Sequence, residues 1–303
     1  MSKLSAIDKA QILLETVPWL RQYSGKRVVI KYGGNAMVDE DLKRAFAQDI
    51  LFLHAWGVHP IVVHGGGPQI NEMLRRVSLT APFSNGLRVT TPEVMEIVRM
   101  VLQGKVQREI VSLLNADSVA AVGLSGEDAR LLTARRRTKD ATGKIIDIGQ
   151  VGDVVEVNAA PIDDLISTGR IPVISTVAVD VDSPSDVLNV NADSAAAAIA
   201  VAANAAKLIM LTDVAGVYRN YPDPDSLIQR MGPQDVRELL PTVDSGMIPK
   251  LQGALDAIEA GVPRIHIIDG RQPHSMLLEI FTDEGAGTMI YGDEDTTLKR
   301  RTQ

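Results

Sequence analysis

From Gly25 onward, apolar residues fall in short runs of strand length that alternate with longer segments of helical character. Strands separated by helices are typical of βαβ units, whose crossovers place the strands side by side in one parallel sheet. Both faces of such a sheet are covered, so its strands read as continuous apolar runs. We predict an α/β fold, a three-layer αβα sandwich with a central, mostly parallel sheet, with strands at 28–31, 61–64, 118–123, 171–175, 208–212 and 264–268.

The first 24 residues carry a helical pattern instead. Ser5 and Asp8 have the spacing of a capping box, and Pro18 interrupts the pattern. We predict a short amphipathic helix over residues 4–20, and the residues on one stripe of this helix are Leu4, Ile7, Gln11, Leu14 and Val17.

The middle of the chain departs from the alternation. Residues 131–156 contain turn signals and short β-like stretches such as 145–148, which predict hairpins inserted between the main strands. Residues 192–206 are almost all alanine, which predicts a helix that can pack closely on the sheet. We place a boundary near 179–185, which divides the chain into a helical arm (1–24) and two lobes (25–180 and 181–303).

Composition narrows the class of partner. Of the 303 residues, 45% are hydrophobic, which is enough for a large core. The 38 acidic and 31 basic side chains leave a net charge of −7, so electrostatics give the chain no attraction to nucleic acid or to anionic membranes. There are no cysteines, which removes thiol and zinc-thiolate chemistry and fits a reducing compartment. No signal peptide or long apolar run is present, so we expect a soluble cytoplasmic protein.

Two strands end in glycine-rich turns. The first runs through Lys31 into Gly33 and Gly34, and the second runs through His64 into three glycines and Pro68 at a predicted helix start. Glycine lets backbone N–H groups approach an anion, and a helix N-terminus adds a favourable dipole. Taken alone, either could be an ordinary βα turn with a solvated lysine. We interpret His64 as a strand-end residue held by a hydrogen bond and not as a base.

Polar residues at other turns could complete such a site. Arg88 follows a glycine turn and has the forked geometry that suits a carboxylate, although a surface salt bridge is the simpler interpretation. Asn189 and Asp193 flank the start of the alanine helix, where one N-cap would suffice. Asp213 follows a strand, and Lys250 stands at a helix start.

Common alternatives are absent. No G-x-G-x-x-G follows a strand, and Lys105 after Gly104 lacks the Ser or Thr of a P-loop. The stretch from Gly123 to Gly126 lacks the spacing of a nucleophile elbow. The five histidines form no H-E-x-x-H pair, which disfavours a metal-hydroxide hydrolase.

Taken together, these segments resemble the amino acid kinase family. Between Lys26 and Ile290 the resemblance rests on IKYGGNA, VHGGGPQI, NGLRVT, GLSGEDA, LNVNADSAA, LTDVAGVY, GMIPK and GTMI, in the order of the family. It is closest to the members that phosphorylate N-acetyl-L-glutamate in arginine biosynthesis. It implies the fold of carbamate kinases, an N-terminal lobe that binds the acyl amino acid and dimerises, and a C-terminal lobe that binds ATP.

The resemblance also implies a role for each motif residue. Two lysines would stabilise charge on the transferring phosphoryl group and an aspartate would orient them, while an arginine would clamp the carboxylate of the substrate. The catalytic residues are Lys31, Lys250 and Asp193; the ATP-binding residues are Gly33, Gly34 and Asp213; the substrate-binding residues are Gly66, Gly67, Arg88 and Asn189.

Elementary chemistry agrees with this assignment. The γ-carboxylate of N-acetyl-L-glutamate has an intrinsic pKa of about 4.3, so it is ionised at pH 7 and needs no general base. Its attack on an anionic phosphate is opposed mainly by charge and positioning, which cations and aligned N–H groups overcome. We expect Mg²⁺ to accompany ATP, held mainly by the phosphates and water.

The same resemblance suggests regulation. Members inhibited by L-arginine carry an N-terminal helix that interlaces dimers into a homo-hexamer. Residues 1–24 therefore predict inhibition by L-arginine and a homo-hexamer. The alternative is a helix that packs on its own subunit. His266, Glu279 and Gly287 are candidates for the arginine site. Binding of a PII signalling protein, known for some relatives, stays open.

Two competing hypotheses remain at this level. One keeps the fold and changes the substrate, as in aspartate, glutamate, carbamate or UMP kinases. The other is a non-catalytic sensor of nucleotide or arginine, against which the joint presence of Lys31, Asp193 and Lys250 argues.

Overall fold

The structure is a computed structural model, and it describes residues 5–84, 86–116, 120–139, 143–282 and 285–292, with Asn35 described by its backbone alone. The predicted strand start at 118–119, the Leu4 position of the stripe and the end of the predicted C-terminal lobe lie outside these residues.

Strands and helices alternate along most of the chain. The strands are β1 Arg27–Tyr32, β2 His59–His64, β3 Phe83–Ser84, β4 Leu87–Arg88, β5 Ala121–Ser125, β6 Leu132–Arg136, β7 Val151–Val157, β8 Ile171–Ser175, β9 Val177–Asp180, β10 Val187–Val190, β11 Lys207–Thr212, β12 Val217–Tyr218, β13 Leu227–Ile228, β14 Arg230–Met231, β15 Arg264–Asp269 and β16 Gly287–Tyr291. The helices are α1 Ala6–Tyr23, α2 Glu40–Ala55, α3 Gly67–Arg76, α4 Pro92–Met100, α5 Gln107–Leu114, α6 Ala160–Ser167, α7 Ala192–Ala202, α8 Pro233–Leu239, α9 Ile248–Glu259 and α10 Ser275–Phe281, with a π-helical segment, Val101–Val106, joining α4 to α5.

One sheet organises the molecule. Its order is β14-β16-β15-β11-β1-β2-β8-β5, and every neighbouring pair is parallel except β15 with β16. Strand β1 lies in the centre, between β11 from the second half of the chain and β2 from the first. The carboxyl ends of these three strands therefore meet at one edge, which is where ligands bind in open α/β sheets.

The sheet carries a hydrophobic core on each face. In β1, Val28 and Ile30 pack with α2, α4 and α5, while Val29 packs with α7 and α9 on the other face. All three side chains are fully buried, as the period of two in a strand requires. The predicted three-layer αβα sandwich with a mostly parallel sheet is confirmed.

The region predicted as inserted hairpins, residues 131–156, contributes strands to a closed barrel. Strands β6, β7, β9 and β10 close into a small barrel beside the main sheet. The predicted β-like stretch at 145–148 does not form a strand, because Ile145 makes an isolated bridge to Lys139 and Ile146 and Ile148 make only single main-chain hydrogen bonds to Thr138 and Thr90. The segment 179–185 leads from β9 into the turn before β10, and the division into lobes remains a prediction.

Helix α7 packs closely because its residues are small. Ala195, Ala196 and Ala200 have no exposed surface and lie between the sheet and α9. The helix ends at Ala202 instead of 206, since Asn204 adopts a left-handed conformation with φ of +48° that stops a helix.

Helix α1 begins with the predicted capping box of Ser5 and Asp8 but continues past Pro18. A proline inside a helix removes one N–H donor and its ring crowds the carbonyl four residues earlier, but the burial of Leu20 and Tyr23 at the end of the helix holds the last turn in place. The predicted stripe faces solvent, with Ile7 77% and Leu14 70% exposed. No helix in the described part of the chain has both the length and the apolar character needed to cross a membrane.

We predict that Ala196→Leu lowers the free energy of unfolding by about 1–3 kcal/mol, because added methyl groups have no space between α7 and the sheet. Ala198→Leu is the matched control, since Ala198 on the same helix is only half-buried. Urea denaturation of both variants measures the difference. Equal losses in the two variants would contradict the close packing of α7.

Candidate active site

A cavity of about 380 Å³ opens at the carboxyl ends of the central strands. It collects residues from β1, β3, β4, β7, β10 and the starts of α3 and α7, together with the glycine turn that follows β2, and these are far apart in sequence. The cavity is lined by nine of the residues predicted for catalysis and binding: Lys31, Gly33, Gly34, Gly66, Gly67, Arg88, Asn189, Asp193 and Asp213.

Asp193 connects the two predicted catalytic lysines, of which Lys31 lines the cavity and Lys250 reaches it only through Asp193. Its Oδ1 lies 3.0 Å from Lys31 Nζ, and its Oδ2 accepts a hydrogen bond of 3.0 Å from Lys250 Nζ. The Lys250 ammonium also donates to the carbonyl of Gly246 at 3.3 Å. One carboxylate thus holds two ammonium groups that come from opposite ends of the sequence.

The start of α7 explains the position of Asp193. Asn191 caps the helix by accepting hydrogen bonds from the N–H groups of Asp193 and Ser194, at 2.8 and 3.2 Å. A cap fixes the first turn, and the positive end of the helix favours a negative charge there. The polar residues before the alanine run therefore serve two purposes, one to cap the helix and one to present the carboxylate.

The charge state of Asp193 follows from its neighbours. Burial on its own raises the pKa of this carboxyl, but the charges of Lys31 and Lys250 and their hydrogen bonds outweigh burial and hold the pKa at about 2. Asp193 is therefore a carboxylate at neutral pH. It is a fixed counter-charge and not a proton acceptor.

The first glycine turn packs against its neighbours without room for side chains. A Cβ on Gly33 would lie 2.9 Å from Lys31 Nζ, and a Cβ on Gly34 would lie 2.5 Å from Asp213 Oδ1. Gly34 also has φ of +74°, which favours glycine. The turn keeps backbone groups, Lys31 and the Asp213 carboxylate within one small region.

The second glycine turn begins α3. Gly66 is the N-cap, without a side-chain cap, and a Cβ there would lie 2.8 Å from Leu102 Cδ2. A Cβ on Gly67 would meet nothing within 4 Å. Crowding explains the glycine at 66, whereas the lack of a side chain at Gly67 leaves the start of α3 open to a ligand. His64 Nδ1 donates to the carbonyl of Gly65 at 2.9 Å, and burial lowers the pKa of His64 to about 4.

Arg88 is a buried cation on β4. Its Nη2 lies 3.4 Å from the carbonyl of Gly67, its guanidinium stacks 4.7 Å from the ring centre of Phe83, and burial lowers its pKa. Among the residues that the structure describes, no carboxylate forms an ion pair with it. A buried guanidinium held by a carbonyl and an aromatic ring is suited to bind an anionic ligand.

The three candidate allosteric residues lie away from the cavity. His266 Nδ1 is 2.5 Å from Glu279 Oε1, both side chains are buried, and burial together with Lys207 lowers the pKa of His266 to about 4. The Glu279 carboxylate also accepts from the N–H of Ala286. Close packing explains Gly287, because a Cβ there would lie 2.3 Å from the carbonyl of Ile267.

Sequence reasoning missed Phe83. The register of the β3–β4 hairpin pairs Phe83 directly with Arg88, so their side chains share one face. The signal was present, because the dipeptide Asn85-Gly86 is typical of a two-residue hairpin turn and fixes which residues lie opposite. The structure does not describe Asn85 itself.

With this geometry in place, comparison with known proteins defines the class. The model of the amino acid kinase family matches residues 26–269. The chain belongs to the amino acid kinase family.

Sequence relatives narrow this further. The chain is 55% identical over 296 residues to an acetylglutamate kinase of Bifidobacterium adolescentis, covering 98% of this chain and 93% of the relative. It is 56% identical to an acetylglutamate kinase of Kineococcus radiotolerans, covering 96% and 98%. Within the family, these high-identity relatives are acetylglutamate kinases.

Solved structures agree. An N-acetylglutamate synthase of Neisseria gonorrhoeae, in complex with coenzyme A and N-acetyl-glutamate, superposes with a TM-score of 0.81 at 25% identity, covering 94% of this chain; this chain spans 63% of that synthase. A carbamate kinase of Giardia lamblia bound to AMP-PNP superposes with a TM-score of 0.64 at 19% identity, covering 89% of this chain and 100% of the kinase, and shows the shared fold.

We predict that Asp193→Asn lowers the free energy of unfolding at pH 7 by about 3 kcal/mol, because two largely buried lysines lose their counter-charge. Asp153→Asn is the control, since Asp153 pairs with Arg137 on the surface with half of its side chain exposed and should change stability by less than about 1 kcal/mol. Urea denaturation gives both values. A similar small loss in both variants would refute the structural role of Asp193.

The stability difference between the wild type and Asp193→Asn should also depend on pH. The pKa of Asp193 is about 2 in the folded chain against 3.8 without the fold, so its stabilisation is complete above about pH 4 and is lost as the pH falls through 2. The difference in unfolding free energy between wild type and Asp193→Asn should be constant from pH 7 to about 5 and shrink below about 4. A difference that grows on acidification would contradict the depressed pKa.

Proposed function

We propose that the chain transfers the γ-phosphoryl group of ATP to the γ-carboxylate of N-acetyl-L-glutamate, forming N-acetyl-L-glutamyl 5-phosphate in arginine biosynthesis. The observation that carries the proposal is Asp193 holding Lys31 and Lys250 between two glycine turns. The 55–56% identity to acetylglutamate kinases over nearly the whole chain supports this substrate.

The acyl amino acid would occupy the side of the cavity next to α3 and β4. Arg88 supplies a buried cation for the α-carboxylate, and the N–H groups of Gly66 and Gly67 at the cavity can bind an anionic oxygen. Asn189 on β10 adds an amide at the same cavity. The Neisseria synthase, of which 63% superposes on this chain, was solved in complex with N-acetyl-glutamate, and this supports the ligand class.

The phosphates of ATP would lie on the other side, against Gly33, Gly34 and Asp213. Side chains at either glycine would collide with Lys31 or Asp213, so only the bare backbone can come close to a ligand here. The two ligands would then meet at the lysines. The position of Asp213 at the end of β11 agrees with nucleotide binding at the carboxyl ends of parallel strands.

The transfer step needs no proton acceptor from the protein. An oxygen of the ionised γ-carboxylate attacks the γ-phosphorus, a new P–O bond forms, and the bond to the bridging oxygen breaks so that ADP leaves with the electron pair. Lys31 and Lys250 would stabilise the charge on the phosphoryl oxygens during transfer, with Asp193 fixing their positions. A pKa of about 2 suits Asp193 to this role, because the carboxylate does not take up a proton near neutral pH.

Mg²⁺ would accompany ATP. Among the described residues, no group of three or more His, Asp or Glu side chains could hold a metal by itself, and Asp193 is committed to the lysines. This fits an ion bound mainly by phosphate oxygens and water, with Asp213 as the other acidic side chain at the cavity. When bound, the ion neutralises part of the phosphate charge.

The alternatives are weaker. Aspartate, glutamate, carbamate or UMP kinases would share the fold, but the high-identity relatives are acetylglutamate kinases. A non-catalytic sensor would have no need for two lysines fixed on one buried carboxylate.

Regulation by L-arginine is part of the proposal. The buried His266–Glu279 pair lies near Lys207 and beneath the end of α1, since Tyr23 stacks with Lys207. A structure of the Neisseria synthase in complex with L-arginine supports an arginine site on this fold. PII binding and a cytoplasmic location remain predictions.

The substrate assignment is tested by ADP release from MgATP with N-acetyl-L-glutamate, glutamate, aspartate, carbamate or UMP as acceptor. We expect turnover with N-acetyl-L-glutamate and a fall in kcat of at least about 100-fold in Lys250→Ala, because an interaction made in the transition state is lost. Lys105→Ala, which removes a half-buried lysine paired with Glu72 outside the cavity, is the control.

Two outcomes would overturn this account. Lack of turnover with N-acetyl-L-glutamate would refute the substrate, and a Lys250→Ala variant with a raised KM and an unchanged kcat would refute the role of Lys250 in the transition state.

Exposed apolar side chains on α1 offer a contact surface for the proposed homo-hexamer. Ile7, Leu13 and Leu14 expose more than half of their surface, which is costly unless another subunit covers them. Removing residues 1–24 should leave dimers in sedimentation velocity, while the intact chain sediments as hexamers. A truncated chain that keeps the hexameric mass would exclude α1 as the contact.

A further inference from the structure

The buried hydroxyl of Thr90 connects two residues on the side of the cavity that is proposed to bind the acyl amino acid. Thr90 has no exposed surface, its Oγ1 donates to the carbonyl of Arg88 at 2.8 Å, and it accepts from Asn189 Nδ2 at 3.2 Å. Arg88 and Asn189 come from β4 and β10, about a hundred positions apart in sequence. Thr90 itself is absent from the cavity lining, so it acts on a ligand only through these two residues.

The direction of these hydrogen bonds fixes the side-chain amide of Asn189. A carbonyl oxygen cannot donate, so the hydroxyl proton of Thr90 is committed to Arg88. Thr90 Oγ1 can then only accept, and only the nitrogen end of the Asn189 amide can face it. The oxygen of that amide and its second N–H are left for the cavity. A single hydroxyl therefore selects one of the two amide orientations that Asn189 could adopt.

The backbone around Thr90 is held independently of the hydroxyl. Its N–H donates to Ile148 at 2.9 Å, and its carbonyl accepts from Gln150 at 2.6 Å. The carbonyl of Gln150 in turn accepts from the N–H of Asn189 at 2.9 Å. The strands carrying the two ligand-binding residues are thus already connected by main-chain bonds, so loss of the hydroxyl should release the Asn189 amide without separating them.

We propose that Thr90 is a positioning residue for the acyl substrate, which orients the side-chain amide of Asn189 and ties it to the main chain of Arg88. The inference rests on the proposed function, because it concerns the binding of N-acetyl-L-glutamate. It assigns the threonine of the segment NGLRVT a role in acceptor recognition and none in ATP binding.

The test compares Thr90→Val, which keeps the shape and removes the hydroxyl, with Thr90→Ser, which keeps the hydroxyl. Thr90→Val should raise the KM of N-acetyl-L-glutamate about tenfold, as the loss of two hydrogen bonds predicts, and leave the KM of ATP within about twofold. Thr90→Ser should restore the wild-type KM. Thr90→Ala also removes the hydroxyl, without adding a methyl group beside Asn189, and should have the same effect on the KM. It takes the place of Thr90→Val in the test if Thr90→Val does not fold.

Two controls separate positioning from stability. Thr288→Val removes another fully buried hydroxyl, which donates to Ile228 and accepts from Val217, and it should lower the melting temperature similarly but leave the KM of N-acetyl-L-glutamate unchanged. In a chain that already carries Asn189→Ala, Thr90→Val should change that KM by less than about twofold, because Thr90 acts through Asn189.

The inference is overturned if Thr90→Val leaves the KM of N-acetyl-L-glutamate unchanged, raises the KM of both substrates equally, or adds its full effect to Asn189→Ala. A wild-type protein that does not turn over N-acetyl-L-glutamate would overturn the proposed function and this inference together. An active wild type with an unchanged Thr90→Val overturns the inference alone.

Discussion

The buried carboxylate of Asp193 between two lysines is the interaction on which the site depends. Lys31 stands at the end of the central strand β1, Lys250 on α9, and Asp193 on the first turn of α7. Each of these elements must be in place for the three charges to meet. The alanine residues of α7 serve this arrangement, because small side chains let the helix lie close to both the sheet and α9.

Charge balance explains why the site suits anions. Lys31, Lys250 and Arg88 bring three positive charges to the site against the two carboxylates of Asp193 and Asp213, which leaves an excess of one positive charge. Phosphates and carboxylates supply the missing negative charge, so binding and charge neutralisation are the same event. The overall charge of −7 makes this positive region local.

Much of this arrangement could be predicted from the sequence. Continuous apolar strands gave the sheet, and the glycine turns and lysines gave most of the cavity, because these features follow from local chemistry. Other features depend on distant contacts. The continuation of α1 past Pro18 follows from the burial of Leu20 and Tyr23, and the position of Thr90 beside Asn189 follows from the barrel, which no local pattern specifies. Residues 145–148 have β propensity but form no continuous ladder, because Ile145 makes an isolated bridge to Lys139 while Ile146 and Ile148 make single main-chain hydrogen bonds to Thr138 and Thr90.

The most direct measurement is a crystal structure with MgADP, N-acetyl-L-glutamate and tetrafluoroaluminate, a planar mimic of the transferring phosphoryl group. The account predicts both Lys31 Nζ and Lys250 Nζ within about 2.7–3.2 Å of the fluoride or bridging oxygen atoms, with Asp193 still between them. A complex in which either ammonium group stays well beyond hydrogen-bond distance from the mimic would contradict the central role of the Asp193 arrangement.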